Sequence, residues 1–326
     1  MSAQGRGVTL FVLWVISGTL IENKVVHASF LRAERKEMGI PKTTKYVFSG
    51  HESFPCKSLW LKKGYDFVKN GNSFNSPDAV VHLGVGKNMV SAIRYWLKAF
   101  SLIKENKTTE IADYLLDSNI GKDPFMEDLG TLWLLHFLIV NCRVASLYGL
   151  FFVDFQKERK EFEREHVLNF IKRNMIEHGS EKLFNSNTVK KDIGVLLQSY
   201  TLPRTPQSHE DYSNLLIDLD LLRQKEEGKT YCFNFEGKRQ LHPDIFLFAL
   251  LSVVDSDNYS ISFDLLQEIG LIFCMNNLEV LEMAKQLADL YPEALAYTDV
   301  AGIRQLQITH SLSKMNILDH YYESVL

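Results

Sequence analysis

The alternation of apolar and polar positions along the chain predicts amphipathic helices separated by short hairpins. Between residues 59 and 69, apolar and basic side chains alternate with helical spacing, and the polar stretch NGNSFNSP then ends this first helix. A second helix is predicted to start at Ser76, Pro77 and Asp78, because serine caps the backbone, proline fits the first helical position and aspartate suits the first turn. This helix is short, since Gly84 ends it.

The stretch HLGVGKNMVSAIRYWLKAFSLI, residues 82–103, contains a glycine pair whose role decides how the region is interpreted. A phosphate-binding P-loop needs Ser or Thr after its lysine, whereas Asn88 follows Lys87, and a dinucleotide-binding loop needs three spaced glycines. The pattern instead predicts a helix-turn-helix, in which the glycines form the turn and residues 87–100 form the second helix. The segment KENKTTE after it is predicted to form a wing.

The predicted second helix of this motif has two chemically different faces. Its inner face is the apolar stripe of Val90, Ile93, Leu97 and Phe100. Its outer face, which also includes Tyr95, carries the candidate DNA-binding residues Lys87, Asn88, Ser91, Arg94 and Lys98. A recognition helix needs this division, because its buried side anchors it while its outer side reaches phosphates and base edges. Arg94 is the leading candidate for a base contact.

The remaining pattern predicts a mainly α fold with small β-hairpins, an α+β class. The most apolar segment, residues 129–155, is interpreted as one or two buried helices, since His136, Asn141 and Arg143 would be costly in lipid. Two helical patterns and a hairpin that turns near Gly228 predict a second winged helix. The predicted regions are an upstream segment (1–37), a winged helix-turn-helix module (38–128), a helical core (129–180), a second winged-helix-like module (181–255) and a C-terminal α+β module (256–326).

Charge is unevenly distributed along the chain. The whole sequence has 36 basic and 40 acidic residues, a net charge of -4, which argues against a protein that coats nucleic acid over its entire surface. Residues 41–104, however, contain ten Lys or Arg and three Asp or Glu. A basic module within an acidic chain favours local binding to a polyanion.

The cysteines and the N-terminal segment indicate in which cellular compartment the protein is expected. The four cysteines form no C-x-x-C pair and are interpreted as reduced thiols: Cys56, Cys142, Cys232 and Cys274. The apolar run Val8–Ile21 behind Arg6 resembles a signal peptide and is too short for a membrane span. The preferred alternative is that translation begins at Met38, because the preceding ERKE is encoded largely by purines, as in a ribosome-binding site. The protein is then expected to be cytoplasmic, with no membrane partner.

The stretch FSGHESFP, residues 48–55, contains side chains that could take part in catalysis or metal binding. His51 and Glu52 lie together in a glycine-led turn, and such a pair is able to bind a divalent metal or to move a proton. The structural alternative is that Glu52 pairs with Lys57 or Arg94 and that His51 satisfies a backbone carbonyl.

A second carboxylate set has the order found in some metal-dependent nucleases. Asp220, Glu227 and Lys229 would have to lie on neighbouring strands to hold Mg²⁺ beside a scissile phosphate. The sequence Glu-Gly-Lys is also ordinary turn chemistry at a hairpin tip, so both interpretations stay open.

Three motifs in this order carry a family resemblance: FSGHESFP followed by WLKKGYD, then DAVVHLGVGKNMVSAIRYW, then DPFMEDLGTLWLLHF. From about Val47 to the C-terminus, the chain resembles a bacterial family known as domain of unknown function 4007. Nothing before Met38 belongs to the pattern. Lys57 stands where an arginine is expected in many members. A lysine has no forked guanidinium, so a bidentate contact is not expected from this position.

The resemblance implies a component of a DNA phosphorothioate modification system, in which sulfur replaces a non-bridging phosphate oxygen. Family members occur beside a cysteine desulfurase, an ATP-pyrophosphatase-like sulfurtransferase and an ATPase. The expected partners are double-stranded DNA, the sulfurtransferase and the ATPase. A DNA-nicking role is also implied, which would make the protein a metal-dependent nicking endonuclease. His51 would then activate water and Glu52 would bind Mg²⁺ or Mn²⁺. The alternative is a non-catalytic adaptor that binds DNA or proteins.

Overall fold

A computed structural model describes residues 46–142, 144–203, 212–254 and 260–325. All of these belong to the compact unit 40–326. The predictions for the segment before Met38, including the signal-like run and the start codon, lie outside the described residues, as does Arg143.

The N-terminal region consists of short helices and one hairpin. Its elements are α1 (Trp60–Lys69), α2 (Ala79–Leu83), α3 (Lys87–Ala99), β1 (Ile103–Lys104), β2 (Lys107–Thr108) and α4 (Glu110–Leu116). Gly84 ends α2 with a left-handed φ of 60°, so the glycine pair is the bend between α2 and α3. The predicted Ser76 cap is wrong, because α2 begins at Ala79 without a side-chain cap.

The middle region contains the most apolar helices and a three-stranded sheet. Its elements are α5 (Leu129–Asn141), α6 (Ser146–Glu158, with a π-helical stretch at Leu150–Phe155), β3 (Glu161–Phe162), α7 (Arg164–Glu177), α8 (Ser186–Tyr200), β4 (Leu222–Gln224) and β5 (Tyr231–Phe233). The sheet is antiparallel in the order β3, β5, β4. The predicted hairpin near Gly228, which has a φ of 80°, is present.

The C-terminal region has a similar order of elements. It contains α9 (Pro243–Val253), β6 (Ser260–Ser262), α10 (Phe263–Ile272), α11 (Asn277–Leu290), β7 (Leu295–Val300), β8 (Ile303–Ile308) and α12 (Lys314–Val325). The antiparallel sheet order is β6, β8, β7, so here too the first strand pairs with the last. Short 3₁₀ turns occur elsewhere at Glu181–Leu183, Ile217–Leu219 and Lys238–Gln240.

The mainly helical α+β class with small antiparallel sheets is confirmed. Buried apolar side chains from Tyr46 to Tyr322 form one contacting cluster, and α5 and most of α6 lie inside it, as predicted for residues 129–155. The predicted domain boundaries stay a prediction. In the described part of the chain, no single helix is long and apolar enough to cross a bilayer. The bent pair α5 and α6 reaches the length and apolar composition of a membrane span only when the two helices are taken together.

Candidate nucleic-acid interface

Helix α3 has the predicted two faces. The stripe of Val90, Ile93, Leu97 and Phe100 is buried. On the other side, Lys87, Asn88 and Ser91 are exposed, and Arg94 and Lys98 are half-buried. Helical periodicity therefore gathers the five candidate DNA-binding residues along one helix, because positions three and four apart lie on the same side.

Arg94 is held at the junction of α3 with its neighbours. Its Nη1 donates to Asn75 Oδ1 at 2.9 Å and its Nη2 donates to Asn106 Oδ1 at 3.0 Å. Asn75 precedes α2, and Asn106 lies at the tip of the β1–β2 hairpin with a φ of 60°. The guanidinium thus fixes the hairpin relative to the helix-turn-helix, in addition to its predicted place at a base edge.

Tyr95 does not lie on the outer face, which corrects the sequence-based assignment. Its ring packs edge-on against His51, with centroids 5.7 Å apart, and a Cβ on Gly50 would lie 2.6 Å from Tyr95 Cδ2. Burial raises the pKa of Tyr95 well above its usual value. The apolar stripe of α3 is therefore wider than the predicted one.

The FSGHESFP stretch is bound to α8 by a carboxylate. His51 is buried, with Nε2 3.0 Å from Asp192 Oδ1, and its Nδ1 accepts a hydrogen bond from the Ser53 amide at 3.1 Å. The Ser49 amide donates to Asp192 Oδ2 at 2.8 Å. With an N–H donor at Nδ1, Nε2 carries the ring proton and donates it to Asp192, so both nitrogens are occupied.

The residues around Glu52 do not fit a divalent-metal site. Glu52 is exposed at a positive φ of 49°, and its neighbour His51 has both nitrogens engaged. Across the described ranges, no group of three or more His, Cys, Asp or Glu side chains is arranged to hold a metal ion. The roles of Glu52 as metal ligand and His51 as base stay predictions, and no catalytic step is derived from them.

The second carboxylate set is also engaged in local structure. Asp220, at a left-handed φ of 44°, accepts from Arg223 Nη2 at 2.6 Å and from Asn234 Nδ2 at 2.9 Å. Glu227 and Lys229 lie in the turn that joins β4 to β5. Asp220 thus connects the loop before β4 to the hairpin, which accounts for its position structurally.

A cleft that the sequence did not predict opens beside the helix-turn-helix. It encloses about 1310 Å³ between the α2–α3 turn and start of α1 on one side and α8 and the middle sheet on the other. Lys57, Lys63 and Arg164 line it, and none of the lining residues in the described part of the chain is acidic. The described lining residues of this cleft are therefore net positive, and we call it the electropositive cleft. The sequence did not predict it because its walls come from segments more than a hundred residues apart.

Two helices begin at this cleft. Helix α1 starts after Leu59 and α3 starts after Gly86, and both of these residues line the cleft. Within the described chain, neither N-terminus has a side-chain cap or an acidic residue in its first turn. The positive ends of both helix dipoles therefore add to the field of the cations.

The helix-turn-helix, its hairpin and the electropositive cleft define an α+β protein with a basic N-terminal face. The chain belongs to the family DUF4007, described as a protein of unknown function, which matches residues 48–322. The predicted family resemblance is confirmed.

Two solved structures are similar to this chain. A crystal structure of SspB has a TM-score of 0.76 and 27% sequence identity, covering 86% of this chain and 89% of that chain. A crystal structure of magnesium-ion-bound SspB has a TM-score of 0.76 and 26% identity, with the same coverage. No curated protein matches the sequence.

Proposed function

We propose that the protein binds duplex DNA through its N-terminal module as a component of a phosphorothioate modification system. The observation that carries the proposal is the outer face of α3, where Lys87, Asn88 and Ser91 are exposed beside a hairpin with exposed Lys104 and Lys107. Membership of DUF4007 and the likeness to SspB support the link to such a system.

Binding by this face depends first on phosphates. Lysines on a helix and its wing contact the DNA backbone, release condensed counterions and set the position of α3 on the duplex. Asn88 and Ser91, one helical turn apart, are polar side chains of the size that reaches base edges when a helix enters the major groove. Specificity is then a property of these neutral residues and of Arg94.

The C-terminal region is suited to protein partners. Residues 260–325 contain nine Asp or Glu and three Lys or Arg, the opposite balance to residues 41–104. An acidic surface repels DNA, and it attracts basic protein surfaces. We place the sulfurtransferase and ATPase partners of the system on this region.

Exchange of Lys87 and Lys98 for glutamate tests the DNA-binding face. In fluorescence anisotropy with a labelled duplex, the double variant should bind at least tenfold more weakly, because two phosphate contacts become repulsive. Lys285→Glu, at an exposed position of α11, is the control and should bind like the wild type. Equal affinity for all three proteins would remove α3 from the interface.

Nicking is the enzymatic extension of this proposal and is tested on supercoiled plasmid. Open circles that require Mg²⁺ or Mn²⁺ and vanish with Glu52→Ala would support a nicking centre at the turn that holds Glu52, against the poor fit of its described residues to a divalent metal. Salt-sensitive binding without open circles would support the non-catalytic adaptor. Nicking that persists in Glu52→Ala would leave the DNA-binding proposal intact and remove Glu52 from the chemistry.

A further inference from the structure

We propose that the electropositive cleft binds a single-stranded segment of nucleic acid, holding its phosphates with basic side chains and its base faces with apolar ones. This proposal rests on the proposed function, since it assigns a second nucleic-acid site to a DNA-binding protein. It differs in location, because the duplex is assigned to the outer face of α3 and the single strand to the space behind the α2–α3 turn.

The charges in the cleft select a polyanion. Lys63 and Arg164 are exposed lining residues and contribute cations from α1 and α7. The N-termini of α1 and α3 add partial positive charge to the same space. The described lining residues include no carboxylate, so their combined charge attracts an anion.

Arg164 is oriented by the middle sheet. Its Nη2 donates to the Tyr231 hydroxyl at 3.3 Å, and its guanidinium lies over the Tyr231 ring, 6.0 Å from the centroid. Gln224 Nε2 donates to the same hydroxyl at 3.0 Å. One donor of the guanidinium is therefore used to hold it at the wall, and other N–H groups of the fork are left for a phosphate.

Apolar side chains at the cleft distinguish a single strand from a duplex. Leu59 is 59% exposed on the wall formed by α1, and Leu202 is 65% exposed after α8. Val85 and Met89, both half-buried, extend this apolar surface along α3. A duplex keeps its base faces stacked inside, whereas a single strand offers them to apolar side chains between its phosphates.

The test compares a labelled 20-nucleotide single strand with its duplex in fluorescence anisotropy, using the full chain. Lys63→Gln/Arg164→Gln should weaken single-strand binding about tenfold and reduce its salt slope by about 0.7 for each lost phosphate contact, while duplex binding changes less. The α3 variant Lys87→Gln/Lys98→Gln should show the reverse preference. Because Lys98 is half-buried, the unfolding temperatures of both double variants are first compared with that of the wild type.

Leu59→Ser/Leu202→Ser tests the base-face contacts separately. It should weaken single-strand binding and leave the salt slope unchanged, because no phosphate contact is lost. Unchanged single-strand binding by the Lys63/Arg164 variant would overturn the proposal, as would equal losses for strand and duplex. Competition by polyglutamate as strong as that by the oligonucleotide would show a site for any acidic chain and would also overturn it. Failure of the wild type to bind duplex, with Arg164-dependent single-strand binding retained, would sink the proposed function alone.

Discussion

At the scale of single residues, the FSGHESFP stretch acts as an anchor for the helix-turn-helix. Gly50 has a φ of 107°, a conformation that side chains rarely adopt, and its open side faces the Tyr95 ring. His51 then reaches Asp192 on α8, which fixes the stretch to the middle region. Gly50 and His51 therefore both hold this stretch against its neighbours, whatever further role His51 has.

Gly50→Ala should destabilise the protein by about 1–3 kcal/mol, because the new methyl group would combine backbone strain with a clash against Tyr95. Urea unfolding measures the change. The matched control is Gly194→Ala, a helical site where a Cβ meets nothing within 4 Å and the backbone is not strained, so stability should be unchanged or slightly raised. Equal stability for wild type and Gly50→Ala would contradict the packing account.

His136 makes folding sensitive to pH. Burial lowers its pKa to about 3 from 6.5, and both ring nitrogens are bonded, one 2.8 Å from the Tyr200 hydroxyl and the other 2.7 Å from the Ile272 carbonyl. Below pH 6.5 the unfolded chain binds a proton that the folded protein excludes, so the free energy of unfolding falls as pH falls through this window.

Between pH 7 and pH 5, this group should lower the free energy of unfolding by about 2 kcal/mol. His136→Gln removes the titrating group and keeps polar atoms near Tyr200 and Ile272. Its stability should be lower at pH 7 but should fall less on acidification. Parallel pH profiles for the two proteins in urea unfolding would refute the assignment.

The outer face of α3 was predictable at this scale and the contacts of His51 were not. Helical periodicity alone separates Lys87 and Ser91 from Val90 and Ile93. Asp192, by contrast, lies 141 residues from His51 in sequence, and no local pattern links them. A histidine beside a glutamate predicts chemistry from sequence alone, whereas the contact of His51 with its distant partner Asp192 becomes visible only in the fold.

At the scale of elements, the hairpin β1–β2 is positioned through Arg94. The Arg94 guanidinium donates to the side-chain oxygens of Asn75, in the loop before α2, and of Asn106, at the hairpin tip. Exposed Lys104 and Lys107 lie on either side of that tip, so the position of the tip sets where these charges lie relative to the proposed DNA-binding face of α3.

If Arg94 acts through the hairpin, Asn106→Ala and Arg94→Ala should weaken duplex binding by similar amounts. If it also contacts a base, Arg94→Ala alone should lose discrimination between related sites, on the order of 1–3 kcal/mol. Competition binding with cognate and altered duplexes separates the two. Full affinity and discrimination in both variants would remove Arg94 from either role.

The C-terminal helix α12 is seated by the EDLGT part of a motif that carried the family resemblance. Asp128 caps α5 by accepting from the Thr131 amide at 3.0 Å, and it also accepts from the Tyr321 hydroxyl at 2.8 Å. Tyr322 and Thr131 share a hydrogen bond of 2.7 Å. Gly130 is required because a Cβ there would meet the Tyr321 hydroxyl.

Gly130→Ala should therefore be strongly destabilising on its own and much less so in a Tyr321→Ala background. Thermal unfolding of the two single variants and the double variant forms a double-mutant cycle with an interaction of about 0.5–3 kcal/mol. Additive losses would mean that Gly130 does not serve the docking of α12.

Longer elements were predictable, and the short strands β3 and β6 were not. The helices and the hairpin near Gly228 follow from periodicity and turn residues within a short window. Strand β3 has two residues and pairs with β5, some seventy positions later, and β6 pairs with β8, some forty-five positions later. Their identity as strands comes from the partner, so a local pattern carries little signal.

At the scale of the whole molecule, opposite charges are segregated along one chain. Residues 41–104 carry the basic charge and include the helix that we propose binds DNA, whereas the acidic residues 260–325 lie at the C-terminal end of the sequence. The segregation was readable from the sequence, whereas the cleft required the packing of α1 and α3 against α8 and the middle sheet. The proposed function depends on the basic N-terminal region, and not the acidic C-terminal region, binding the DNA.

The central claim, that the protein binds duplex DNA through backbone phosphates, is tested most directly by the salt dependence of its affinity. Kd for a labelled duplex is measured by anisotropy between 50 and 200 mM salt. We expect log K to fall linearly with log salt, with a slope of about -0.9 for each phosphate contacted and several contacts in total. A duplex affinity that is absent or independent of salt would contradict the account.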